Sequence, residues 1–376
     1  MQRSIGIKMR IERIEVFGVA MPLVGAFSTA YKAESVQRSA VVRVTDVDGR
    51  IGLGNVDPVP GYSVESIEDT LRVLQAQLVP AVLGMDPSNV HRLWSRMAEV
   101  VGPAYLDAKA AIEMACVDVT ARRLGVAVHT YLGGSVKDQL HFNAWIGILP
   151  PEQAASETAA WQRRGFRSAK IKVGGGIQAD RDRVKAVREA VGPDFQLRID
   201  ANAGYDADTS IALARMLAPF DLQLFEQPVP ADDLEGMRKV RRQSAGIPIM
   251  ADESVLDHAS LIRIIKAEAA DIVKVKVMKQ GGICNTRRMI ETAGAAGLQC
   301  VVGHGFGLGI NTMAEIMMAA TADCVLDGLE CVGPLKTADD IIEQRLDITA
   351  GSLALPAGPG LGVTLDAEKL ERFRTR

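Results

Sequence analysis

The apolar and polar positions of this chain fall into two textures. "MRIERIEVFGVAMPL" (9–23) alternates as a β-strand does. "SAVVRVTDVDGRIGLGNV" (39–56) reads as two strands around an Asp-Gly turn, a hairpin signal. Two helical patterns follow, "SVESIEDTLRVLQAQLVPAVLG" (63–84) and "AYLDAKAAIEMACVDVTARRLG" (104–125), the second ending at Gly125 in the manner of a C-terminal cap. The pattern predicts an α+β unit over the first hundred-odd residues.

From about residue 140 a short β-rich run followed by a helical pattern recurs. The strand candidates are "HFNAWIGI", "SAKIKV", "FQLRID", "LQLFEQP", "IPIMADE", "DIVKVKV", "LQCVVGHG" and "DGLECVG". From Lys170 through Arg198, Leu224, Met250, Lys274 and Val301 to Gly328 the period is 24 to 28 residues, which calls for a repeat architecture. Strand–helix alternation implies parallel strands, and eight of them have the count and size of a closed (β/α)8-type barrel. The tail from 346 fits no further repeat and is expected to pack back on the first unit. The expected divisions are 1–135, 136–345 and 346–376.

In such barrels the chemistry sits at the carboxyl ends of the strands. "AKIKVGG" ends the second strand with Lys170 and Lys172 on one face. Two neighbouring ammonium groups beside an apolar run need compensation, because burying them otherwise costs several kcal/mol each, as an order of magnitude. The next three strand ends supply it: "RIDAN" gives Asp200 and Asn202, "LFEQP" gives Glu226, and "ADES" gives Asp252 and Glu253. Strand six, on the opposite side of an eight-stranded ring, carries Lys274, Lys276 and Lys279; strand seven ends in His304 and strand eight in Glu330.

Three clustered carboxylates cannot all stay ionised without a cation. Hard oxygen ligands suit Mg²⁺, with Mn²⁺ as a substitute; zinc is disfavoured without thiolates and with one nearby histidine. Such a cluster with an anionic substrate would stabilise the lysines, and Lys170 would help lower the pKa of Lys172 into the range of a useful base. The reaction class this fits is abstraction of a proton next to a substrate carboxylate through an enolate.

Each feature has a plainer reading. Taken singly, Asp200, Glu226 and Asp252 could be helix N-caps. Lys274 and Lys279 read as structural ion-pair partners, and "GGG" at 174–176 as turn flexibility ahead of a phosphate nest. His258 and Cys331 read as structural.

Composition narrows the partners. A net charge of −3, with acidic and basic residues interspersed and aromatics at 5%, excludes a nucleic-acid footprint. No window reaches the roughly 18 uncharged apolar residues of a membrane span. "RIERIEVFGVAMPLV" interrupts its apolar residues with charge, unlike a secretory signal; Met9 could be a second start. Five cysteines, an odd number without C-x-x-C spacing, read as buried free thiols in a cytoplasmic protein.

The ordered set "KIK", "DAN", "EQP", "ADES" and "KVKVMKQGG" resembles the enolase superfamily, and more closely its mandelate racemase/muconate lactonizing enzyme family. "AAIEMACVDVTARRLGVAVHTYLGG" looks like that family's last capping-domain helix and its lead into the barrel. The resemblance implies an α/β fold, a (β/α)7β modified TIM barrel under an α+β capping domain built from the N-terminal segment and the C-terminal tail. It implies Asp200, Glu226 and Asp252 as Mg²⁺ ligands, Lys172 and Lys276 as acid and base on opposite faces of the substrate, and Lys170 in support. A lysine at 276 resembles the muconate lactonizing subgroup. His304 falls where the other subgroup keeps a catalytic histidine, without its aspartate partner, and is expected to contact substrate.

The implied activity is that of an isomerase, a racemase or epimerase of an amino-acid-like carboxylate; cycloisomerase and dehydratase chemistry stay open, and a non-catalytic binding barrel is a remote alternative. The dipeptide epimerases' Asp-x-Asp at strand eight is replaced here by Glu330 and Val332. Asn202, Glu253, His304 and Glu330 are candidate substrate contacts, joined by Phe27 and Tyr62 from capping loops that also hold Tyr31 and Asp57. The family also implies a small carboxylate substrate and a homo-oligomer.

Overall fold

A computed structural model describes residues 9–28, 33–59 and 63–375, without the side chains of 25–28 and 33–34. Tyr31, Tyr62 and the side chain of Phe27 therefore lie outside the described residues. Among those described, β1 (Ile11–Ser28), β2 (Ala33–Asp46) and β3 (Ile51–Val56) form an antiparallel three-stranded sheet. The Asp-Gly turn joins β2 to β3, with Gly49 at φ 77° and the Asp46 carboxylate accepting from the backbone N–H groups of Asp48 and Arg50.

The alanine-rich pattern becomes the helix Leu106–Leu124, buried from Asp107 through Ala121. It lies so close to β3 that a Cβ on Gly54 would stand 1.9 Å from the Ala111 carbonyl oxygen. Gly125 ends the helix in the left-handed region, where glycine is least strained. The earlier pattern is helical over Ile67–Val73 and Val79–Val82, with a π-turn at Leu74–Leu78 just before Pro80.

The second texture is a curled parallel sheet in chain order: β5 (Ala144–Ile146), β6 (Ser168–Lys172), β7 (Gln196–Asp200), β8 (Leu222–Glu226), β9 (Ile249–Ala251), β10 (Ile272–Val275) and β11 (Gln299–Val302). A helix follows each strand, the last being Gly309–Ala319.

The eighth strand expected at "DGLECVG" is reduced, among the described residues, to an isolated bridge of Phe142 with Leu329, with a further bridge of Cys300 with Val325 just before the run. It still bonds on both sides: the Glu330 N–H donates to the Val302 carbonyl, and the Leu329 N–H to that of His141. Gly328 at φ 82° and the packing of Arg198 against it bend this run away from regular pairing. Below the strand ends, Leu224, Met250, Ile272 and Val301 form an apolar plug with Leu326.

β4 (Gln139–His141) pairs with β12 (Ser352–Ala354), and the tail then returns to the first sheet, where the Thr375 N–H donates to Gly18. Buried carboxylates hold these parts together. Asp118, on the long helix, accepts from the N–H groups of Leu53 on β3 and Leu361 in the tail. Glu113, on the same helix, accepts from the N–H groups of Ile283 and Cys284, capping the helix Ile283–Ala295 across the domain boundary. Glu113→Ala strands those two donors and is expected to cost about 2 kcal/mol, read as a lower midpoint in denaturant; an unchanged midpoint would remove this cap from the account.

Candidate active site

The charged strand ends converge. Because β6, β7 and β8 run in register, Lys172 lies beside Asp200 and Asp200 beside Glu226. Lys170 Nζ donates to Glu226 Oε2 at 2.8 Å and Glu330 Oε2 at 2.5 Å, and lies 3.2 Å from Asp200 Oδ2. From the other side Lys274 Nζ donates to Glu226 Oε1 at 2.9 Å and Glu330 Oε2 at 2.5 Å, with Asp252 Oδ2 3.8 Å away. Two acids and two lysines thus alternate in a closed ring on the apolar plug.

Around that ring, Lys172 Nζ donates to Asp200 Oδ2 at 2.7 Å and to Asn202 Oδ1. Lys276 Nζ donates to both oxygens of Asp252 at 2.7 and 2.8 Å, and Lys279 to the Asp252 carbonyl. The Asn202 amide donates to Glu253, whose other carboxylate oxygen is buried without a partner. Lys172 and Lys276 stand on strand ends four apart, with the acids of β7 to β9 between them.

Burial and charge compete at every group. Burial opposes the Asp200 charge, but Lys172, Lys170 and Lys274 outweigh it and hold the carboxyl down at about 2. Burial also opposes ionised Asp252, yet the lysines keep it well below the usual carboxylate range. Glu226 goes the other way: burial and then Asp200 push it up to about 7, against Lys170 and Lys274. For Lys170 and Lys274 burial disfavours the charge, but the surrounding carboxylates prevail and raise both above the ordinary lysine value.

The helix caps are other residues: Asp206, Asp233 and Asp257 start the helices after β7, β8 and β9. Asp200, Glu226 and Asp252 are 0% exposed and face the lysines instead. As a donor set, three buried carboxylates fit a hard divalent cation, which would share the place the ammonium groups now hold. Among the described residues no group of three or more Asp, Glu, His or Cys side chains is arranged to hold an ion as it stands, because each acid is drawn onto a lysine.

Other candidates fall elsewhere. Glu330, expected at the substrate's distal end, has its carboxylate on Lys170, Lys274 and Arg198. His304 Nε2 lies 2.9 Å from the Asp57 carbonyl, and since that oxygen only accepts, the nitrogen carries the proton. Burial, then Lys276, pushes this imidazole down to about 3, so it is neutral. The "GGG" turn does form an anion nest, but its anion is the protein's own Asp180, which accepts from Gly174 N–H at 2.9 Å and from Gly175 N–H at 3.4 Å.

Sequence reasoning passed over two amides. Gln227, left-handed at φ 34°, accepts from the Asp252 N–H through its side-chain oxygen, and Gln280 accepts from the Lys276 N–H at 2.6 Å. Both stand inside quoted motifs, "EQP" and "KQGG". Their signal is a neutral amide directly beside a charged strand end. Asn202 and Ala203 are also left-handed, at φ 45° and 60°, and such strain gathers at functional sites.

The mandelate racemase/muconate lactonizing enzyme N-terminal domain matches residues 12–133, and the enolase C-terminal domain-like family matches 153–369. The chain belongs to the mandelate racemase/muconate lactonizing enzyme family. Among the relatives of this family member, N-succinyl-L-Arg/Lys racemase of Bacillus cereus is 32% identical over 97% of this chain and 98% of its own. Its crystal structure superposes with a TM-score of 0.93 at 31% identity, covering 98% of each chain. Muconate cycloisomerase 1 of Rhodococcus opacus is 31% identical over 97% of this chain and 98% of its own. A dipeptide epimerase of Enterococcus faecalis, solved with Mg and L-Leu-L-Tyr, gives a TM-score of 0.90 at 29% identity, covering 94% of this chain and 99% of that one. These relatives are isomerases.

Asp57 sits where the capping sheet meets the barrel, accepting from Ser39 and from the Asn55 and Asn311 amides. Burial pushes its carboxyl up to about 7 despite those donors. A folded-state value raised above the unfolded one means stability is fully present below about pH 4 and is lost as pH rises through 7. Asp57→Asn should therefore flatten the fall of the melting temperature between pH 4 and 7 relative to wild type; parallel profiles would contradict the assignment.

Proposed function

We propose that this protein is an isomerase, a racemase or epimerase of an amino-acid-like carboxylate, acting by abstraction of the proton α to that carboxylate. The observation that carries this reading is the placement of Lys172 and Lys276 on strand ends four apart, with the acids between them. Lys172 as a neutral amine removes the α-proton from one face and becomes an ammonium. Lys276 as an ammonium returns a proton to the opposite face and becomes neutral, which inverts the centre; the reverse direction exchanges the roles.

Asp200, Glu226 and Asp252 would hold Mg²⁺. When bound, the ion would stabilise the negative charge that develops on the substrate carboxylate as the proton leaves. Mn²⁺ is proposed as a substitute. Lys170 and Lys274 neutralise Glu226 and Glu330 in the floor of the site, so the acids can be packed together. Asn202 and Glu253, next to Lys172, and His304, near Lys276, are assigned to the substrate. Homo-oligomeric assembly is proposed on family resemblance. A cytoplasmic location is supported by five free cysteines, and among the described residues no helix is long and apolar enough to cross a membrane.

The test is incubation with Mg²⁺ in D₂O and a library of N-acylated amino acids and dipeptides, followed by NMR. Deuterium at the α-carbon of inverted product is expected; loss of water or ring closure would shift the assignment to dehydratase or cycloisomerase, and no exchange with any acid would overturn it. Lys172→Ala and Lys276→Ala should each lower turnover by about 10²–10⁴-fold while each retains exchange of one stereoisomer. Chelation should stop exchange, and Mg²⁺ or Mn²⁺ should restore it.

A further inference from the structure

Lys172 ends β6, and two residues later the chain enters Gly174, Gly175 and Gly176. Gly174 and Gly176 take positive φ, 128° and 105°, and all three glycines are exposed. Glycine loses more backbone freedom on ordering than any other residue, so three in a row hold a strand end poorly by themselves. Other groups must fix the place of Lys172.

Two buried side chains of opposite charge on the following helix, Ile177–Val191, do so. Asp180 is 0% exposed and Arg183, one turn on, 4%. The Asp180 carboxylate takes the N–H groups of Gly174 and Gly175, as described above. Arg183 Nη1 donates to Asp180 Oδ1 at 2.5 Å and to the Lys172 carbonyl at 3.2 Å, and its Nε donates to the Leu149 carbonyl at 2.6 Å. The Tyr205 hydroxyl, from the loop after β7, donates to Asp180 Oδ2. Burial, then Asp180, pushes that phenol up to about 12, so it keeps the proton it donates.

These bonds close a circuit. Lys172 Nζ donates to Asn202, and Tyr205 stands three residues beyond Asn202 in the same loop. From Tyr205 the path runs through Asp180 and Arg183 back to the Lys172 carbonyl. Lys172 is thereby gripped at its side chain and at its backbone, and the circuit ties the loops after β5, β6 and β7 together. An Asp–Arg pair three apart on a helix needs no partners beyond its own turn; here both members reach off the helix. Lys276, on the far side, is held by different groups, Asp252 and Gln280. The circuit therefore bears on one of the two lysines.

We propose that Tyr205, Asp180 and Arg183 are positioning residues for Lys172, fixing the angle at which its amine meets one face of the α-carbon. The proposal rests on the α-proton reading above and adds what holds one of its two amines in place. The three residues act through Lys172, and their loss is felt on one face alone.

The test offers each enantiomer separately, with Mg²⁺ in D₂O, and follows loss of the α-proton by NMR. The probe is the N-acylated amino acid that wild type exchanges fastest. Lys172→Ala marks the enantiomer that presents its α-proton to Lys172, since that exchange is the one it loses. For this enantiomer Asp180→Asn, which leaves one acceptor oxygen where four donors now converge, is expected to slow exchange about 10²-fold, and Tyr205→Phe about tenfold, as a misplacement of about 1 Å does. The loss should fall on kcat and leave KM unchanged, and exchange of the other enantiomer, served by Lys276, should keep its wild-type rate. A role confined to stability would lower the melting temperature and slow both enantiomers alike. Tyr205→Phe removes one hydroxyl and keeps the ring, so it answers the question even where Asp180→Asn fails to fold. Equal slowing of both enantiomers, or wild-type rates for both in the folded variants, overturns the positioning role while the α-proton reading stands. A wild-type protein that exchanges no carboxylate at all overturns both.

Discussion

A lattice of buried opposite charges is the constraint on which the rest of this structure depends. Glu226 and Glu330 lie between Lys170 and Lys274, and none of the four can be taken away alone without leaving an uncompensated charge in an apolar setting. The lattice stands directly on Leu224, Met250, Ile272 and Val301, so water does not reach it from below. Low local polarisability makes each attraction stronger and each loss more costly. Arg198, itself 0% exposed, extends the lattice downward by donating to Glu330 and to the carbonyls of Asp327 and Gly328. The irregular eighth run is thereby fastened to β7 by charge and hydrogen bonds where regular strand pairing is absent.

The capping domain is joined to this lattice by a second use of buried carboxylates. Glu113 reaches from the long helix to cap Ile283–Ala295, and the turn just before that helix holds Gln280, Lys279 and Lys276. Docking of the cap and orientation of Lys276, the lysine proposed to carry a proton, are therefore parts of one arrangement. On the other side of the mouth, the Asp57 carbonyl faces the His304 imidazole and its carboxylate takes the Asn311 amide. Histidine at that place is part of the seam between the two domains.

Much of this was legible in the chain. The barrel was readable because a β-rich run and a helical pattern recur every 24 to 28 residues and most of those runs end in a charged side chain. The metal-ligand candidates were readable because carboxylates after apolar runs are rare without a purpose. The eighth strand was over-read: "DGLECVG" has the strand's composition, but Gly328 and the bulk of Arg198 below it prevent a regular ladder. Glu330 was named as a candidate for the substrate's distal end, and sequence could not tell that its carboxylate would meet Lys170 and Lys274 from opposite sides.

The lattice also decides which lysines can do chemistry. A base must release and regain a proton near neutral pH. Lys170 and Lys274 lie among Glu226, Glu330 and a further aspartate each, and their raised pKa values keep both charged throughout the working range. They are locked as counter-ions, and a substrate that approached them would find no amine. Lys172 and Lys276, each two residues further along the chain than Lys170 and Lys274, are bonded to Asp200 and Asp252, the acids proposed for the metal. A cation seated on those acids would compete with the ammonium groups for the same oxygens. Asp200 and Asp252 would thus answer two demands at once, that of the proposed ion and that of Lys172 and Lys276, while Lys170 and Lys274 keep their contacts with Glu226 and Glu330.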